Sequence, residues 1–160
     1  MAVAFTFPGQ GSQQVGMGKE LADQFAAARN VFAEVDEALG ENLSKIMWEG
    51  PDETLTLTAN AQPALMAVSL AVVRVLAEEG VTPAQHARFV AGHSLGEYSA
   101  LAAAGAISLA DTARLLRLPG AAMQRAVAPG DGAMAALLGL AFAHAVAGAA
   151  AAPLGARCQV

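Results

Sequence analysis

The apolar run Phe89-Val90-Ala91 meets Gly92-His93-Ser94-Leu95-Gly96, and the stretch that runs on from there to Ala106 reads as helical. A strand that passes into a helix through GxSxG has to turn sharply, and a Cβ at either glycine would crowd the bend. The turn places Ser94 at a helix N-terminus, where unpaired amides and the positive end of the helix dipole favour developing negative charge. Ser94 is therefore a candidate nucleophile, and the Leu95 N–H beside it a candidate oxyanion donor. A Gly- and Ala-rich chain can produce GxSxG by chance, but chance does not supply a strand before it and a helix after it.

The rest of the chain alternates in the same way. Val3 to Phe7 reads as a buried strand ending at Pro8, and the loop PGQGSQQVGMG that follows has room for something against its backbone. Glu20 to Leu39 fits two amphipathic helices broken near Ala28 and stopped by Gly40. Asn42 to Asn60 reads as short helical turns and loop. Pro63 is expected to open a helix through Glu79, with Leu65, Val68, Val72 and Leu76 inward and Arg74, Glu78 and Glu79 outward. Ser108 or Asp111 can cap a further helix toward Val127. Pro129 to Gly132 then predicts a turn, Ala133 to Leu140 a strand, Phe142 to Ala151 a helix and Arg157 to Val160 the start of another strand. Strands alternating with helices imply an α/β fold with a mostly parallel sheet.

Composition narrows the function classes. With 55% apolar and 14% charged residues, 160 residues make a globular chain. The net charge is −5 and no basic stripe exists, which argues against a nucleic-acid partner. Cys158 is the single cysteine, so no intramolecular disulfide forms, and no Cys/His spacing predicts a metal site. The N-terminus lacks a basic region before its apolar run, and a cytoplasmic location is the expectation. Gly132 to Ala156 is free of charge and long enough to span a bilayer, but it is mostly Ala and Gly and contains His144 and Pro153, so no membrane span is expected.

Several separated blocks carry a family likeness: FPGQGSQ at Phe7 to Gln13, NAQPA at Asn60 to Ala64, GHSLGEYSAL at Gly92 to Leu101, MQRAV at Met123 to Val127 and GAMAALLGL at Gly132 to Leu140. Together they resemble the malonyl-CoA:acyl carrier protein transacylases, in their N-terminal half; polyketide synthase acyltransferase domains share much of the pattern. The resemblance implies an α/β-hydrolase-like core with a nucleophile elbow over residues 1–128, and the start of a small ferredoxin-like subdomain over 129–160. It implies that Ser94 takes malonyl from malonyl-CoA as an ester and passes it to the phosphopantetheine thiol of acyl carrier protein, with no permanently bound cofactor. Gln10 would join the Leu95 N–H as oxyanion contact, and Gln62 and His93 would lie at the substrate.

Two departures stand beside this likeness. A serine needs a general base, and the family's histidine lies far downstream of any residue here. Of the three histidines, His93 leaves the turn in another direction, His86 precedes the strand, and His144 sits on an Ala-rich stretch. The resemblance also puts an arginine that pairs with the malonyl carboxylate where this chain has Pro119; Arg117 would replace it only if the backbone were distorted, and the helix is expected to break at Leu118. Altered acyl specificity, a fragment without turnover, and an α/β-hydrolase-like esterase are the alternative readings.

Overall fold

The computed structural model describes residues 3–126, with side chains through Leu118. The elements in order are β1 (Ala4–Phe7), α1 (Lys19–Gln24), α2 (Ala26–Leu39), α3 (Leu43–Glu49), α4 (Asp52–Thr56), α5 (Thr58–Glu78), α6 (Pro83–His86), β2 (Phe89–Gly92), α7 (Leu95–Ala103) and α8 (Leu109–Ala126). The strands, far apart in sequence, pair in parallel with Ala4 opposite Phe89 and Phe7 opposite Gly92. The α/β reading holds, with helix dominating the described residues. The expected turn at Pro129 to Gly132, the elements from Ala133 onward, His144 and the charge-free stretch lie outside them.

The expectation of buried strands needs correction. In β1 Phe7 is buried while Val3 just before it is 49% exposed, and in β2 Phe89 is 62% exposed. Each strand has only the other as its hydrogen-bonded neighbour among the described residues, so apolar side chains remain uncovered. The core lies instead between helices, where α5 packs on α2, α7 and α8. Phe32 and Val35 from α2, Met66 and Leu70 from α5, and Leu116 from α8 meet there, with Leu43 and Met47 of α3 closing one side. Burying a side chain the size of Phe32, which also sets its ring edge-on to Trp48 at 5.6 Å, contributes roughly 2–3 kcal/mol.

Local chemistry explains three of the helix ends. Gly40, at φ 66°, closes α2 in the left-handed conformation and lets the Glu41 amide return to the Asp36 carbonyl at 3.2 Å. The Asp36 side chain then accepts the Ser44 amide at 2.9 Å and the Ser44 hydroxyl, satisfying the first turn of α3 from the preceding helix. Ser108 caps α8: its hydroxyl accepts the Asp111 amide at 3.0 Å and donates to the Asp111 carboxylate at 2.7 Å.

Three helix predictions shift. The break between α1 and α2 falls at Phe25, in extended conformation, and not at Ala28, which is fully buried inside α2. Helix α5 begins five residues before Pro63, which is buried within it. Its inward face carries Leu65, as expected, together with Met66, Leu70 and the small Ala61, Ala64, Ala67 and Ala71, whereas Val72 is 42% exposed. Small side chains let α2 and α8 approach closely. Finally, α8 does not stop at Leu118 but continues through residue 119 to Ala126. By length and mean hydropathy of 1.4, α5 matches a membrane span, but 56% of that window is buried inside the protein, as befits a core helix.

Candidate functional site

Between the end of β2 and the start of α7, Ser94 takes φ 55° and ψ −119°, the one positive φ outside glycine among the described residues. Such a conformation costs on the order of 1–3 kcal/mol and persists only where the surroundings impose it. Here they do. A Cβ on Gly92 would overlap the Gly96 carbonyl, and a Cβ on Gly96 would overlap the Phe7 carbonyl oxygen and come within 2.7 Å of that of Pro8. Strand end, turn and helix start are thus folded onto the end of β1 with no space for side chains at either glycine.

Helix geometry then isolates one amide. Gly96 N–H returns to the His93 carbonyl at 2.9 Å and Glu97 N–H to the Ser94 carbonyl at 3.0 Å. The Leu95 N–H, first of the helix, has no helical acceptor and lies next to the exposed Ser94 side chain. The Leu95 side chain is buried and anchors this first turn in the core. A hydroxyl beside a free helix-terminal amide can attack a carbonyl whose oxygen the amide then holds.

The loop after β1 connects this turn to α5. His93 N–H donates to the Phe7 carbonyl at 3.1 Å, one step past the β-ladder, and its ring lies over Gly9, where a Cβ would come within 2.5 Å of Nδ1. Next in sequence, Gln10 extends the other way: its Nε2 donates to Thr58 Oγ1 at 3.4 Å, a long hydrogen bond to the first residue of α5. Gln62 is half-buried one helical turn on from Thr58 and so shares its face. His86 Nδ1 lies 3.2 Å from the Thr82 amide, so the polar contacts of both described histidines are with residues other than Ser94.

Arg117 is engaged elsewhere than the sequence alternative required. Its Nη1 donates to the Ala59 carbonyl at 2.8 Å and to Asn60 Oδ1, and its Nη2 lies 2.5 Å from Glu41 Oε1, close enough for an ion pair though poorly aligned as a hydrogen bond. It therefore clamps the start of α5 and does not stand in at position 119. Thr58 and this use of Arg117 were not foreseen from sequence; a proline inside a helical pattern was the available sign, since it leaves a carbonyl in want of a donor.

A groove of about 560 Å³ lies at the end of α7 away from Ser94, lined by Leu70, Val73, Arg74, Pro83, Ala103 and Ile107. Among the described residues no three His, Cys, Asp or Glu side chains come together as metal ligands.

Comparison with known proteins gives this arrangement its relatives. Residues 4–152 match the family model for the acyl transferase domain. The malonyl CoA-acyl carrier protein transacylase of Bacillus subtilis (strain 168) is 55% identical over 138 residues, covering 86% of this chain and 42% of the relative. Among solved structures, the acyl-carrier-protein-S-malonyltransferase of Bartonella henselae is 68% identical with a TM-score of 0.78, covering 80% of this chain and 41% of that one. A malonyl-transacylase solved in complex with its type II polyketide acyl carrier protein is 45% identical with a TM-score of 0.74, covering 79% and 40%. The chain thus spans about two fifths of the length of these relatives. With most of its residues under the family model, and with these solved structures sharing its fold, the chain belongs to the acyl transferase domain family.

Proposed function

We propose that this chain carries the nucleophile of a malonyl-CoA:acyl carrier protein transacylase acting in the cytoplasm in fatty acid biosynthesis. The observation that carries the reading is the positive φ of Ser94 between β2 and α7, which supports reading the turn as a nucleophile elbow. Residues 1–128 form the N-terminal part of an α/β-hydrolase-like acyltransferase core and 129–160 the beginning of a small ferredoxin-like subdomain. The names of the relatives support both the acyl group and the partner.

In the first half-reaction the Ser94 hydroxyl oxygen bonds to the thioester carbonyl carbon of malonyl-CoA, and its proton passes to a general base. The carbonyl oxygen becomes an oxyanion held by the Leu95 N–H and by Gln10. Collapse breaks the carbon–sulfur bond, leaves malonyl esterified on Ser94, and releases CoA as its thiol once the proton returns. In the second half the phosphopantetheine thiol of acyl carrier protein repeats the attack and restores the serine. Gln62 and His93 line the approach to the ester. The resemblance assigns the base to a histidine farther along the family's chain; the contacts of His86 and His93 with Thr82 and Gly9 support leaving them out of that role.

Intact-mass measurement after mixing with malonyl-CoA tests the reading. A gain of one malonyl group that disappears in Ser94→Ala is the expected result; a gain that survives the substitution overturns it.

A further inference from the structure

Helix α5 contains a proline at its sixth position, Pro63, and a proline has no amide to donate to the carbonyl four residues earlier. That carbonyl belongs to Ala59. In the folded protein its donor comes from α8: Arg117 Nη1, at 2.8 Å. The same nitrogen also donates to Asn60 Oδ1, while Asn60 Nδ2 donates to the Thr54 carbonyl at 2.7 Å, and Arg117 Nη2 lies against Glu41. Asn60 is only 8% exposed and the Arg117 side chain 18%, whereas the Glu41 side chain is 48% exposed, so it is the partner at Asn60 that a deletion would leave poorly hydrated. The clamped residues, Ala59 and Asn60, directly follow Thr58, whose hydroxyl accepts from Gln10.

We infer that Arg117 is a positioning residue for the transfer site: by supplying the donor that Pro63 withholds, it fixes the first turn of α5 and, through Thr58, the placement of Gln10. The inference rests on the reading of Gln10 as an oxyanion contact. Arg117 touches neither Ser94 nor substrate; its effect travels through one helical turn. The geometry also explains why a proline is tolerated inside a core helix, because the cost of the missing bond is offset by a charged donor from a neighbour. Lysine at 117 would bring the charge but not the fork that reaches a carbonyl, an amide oxygen and a carboxylate at once.

The test is a cycle of two substitutions read in two ways on the protein carrying this chain. Arg117→Ala is expected to slow Ser94 malonylation by roughly tenfold at saturating malonyl-CoA, with little change in the concentration giving half-maximal rate, since loss of one hydrogen bond to a charged group is worth about that factor. Added methylguanidinium should restore part of the rate, and Arg117→Lys should fall between. Pro63→Ala restores the amide at 63, so in that background Arg117→Ala should cost less than about threefold. The second reading needs no turnover: the Gln10 side-chain amide resonances, assigned by Gln10→Asn, should move in Arg117→Ala and return toward their original positions in the double variant. Equal losses in both backgrounds, or unmoved Gln10 resonances, overturn the inference. Absence of malonylation in the unsubstituted protein would instead count against the function, leaving the resonances to decide the role of Arg117.

Discussion

The α-carbon of Gly96 lies against the carbonyl oxygen of Phe7, so closely that no Cβ fits between them. The contact joins the first turn of α7 to the end of β1 and sets how deep the serine turn sits relative to the loop carrying Gln10. Phe7 is itself buried, so the strand end cannot retreat without opening the core.

Gly96→Ala should therefore act on both stability and chemistry. Overpacking at a backbone contact costs about 1–3 kcal/mol, and the loop or helix has to shift to accept it. The expected outcome is a lower denaturant midpoint together with loss of most malonyl adduct by mass; an alanine variant that acylates at the parent rate would show that the contact is slack.

Ser94 itself should be a stability liability. Glycine adopts positive φ without a Cβ clash, whereas alanine keeps it. Ser94→Gly is expected to be more stable than Ser94→Ala by about 1 kcal/mol in chemical denaturation, with neither forming an adduct. Equal stability of the two would mean that the turn is unstrained.

Position 119 links helix stability to acyl choice. Since α8 continues through it, Pro119→Arg restores an amide facing the Leu115 carbonyl and should stabilise the protein by up to about 3 kcal/mol. The family likeness adds that an arginine here pairs with a free carboxylate, so the ratio of malonyl to acetyl transfer from the two CoA esters should rise. An unchanged ratio removes position 119 from acyl selection.

Ser108→Ala offers a contrast. It deletes the α8 cap at the end of α7 away from Ser94, and should cost about 1 kcal/mol while leaving the malonylation rate as it was. A parallel fall in rate would indicate that the helix start and the serine turn are coupled.

Much of the local structure was legible in the sequence because neighbouring residues determine it. The strand before Gly92, the helix after Ser94, the stop at Gly40 and the cap at Ser108 each follow from side chains within a few positions of the feature. Pro63 misled for the same reason: read alone, a proline opens a helix, because nothing nearby in sequence can donate to Ala59. The donor sits 58 residues away on α8.

Sequence by itself determined the kind of turn that holds Ser94, through two glycines and the change from strand to helix. Tertiary structure decided which distant groups meet: that Gly96 abuts Phe7, that Gln10 reaches Thr58, and that Arg117 is committed to α5. The physical reason is range. Backbone bends and caps depend on atoms within one turn of the chain, whereas the partners of a carbonyl or guanidinium in the core are fixed only when distant helices pack together.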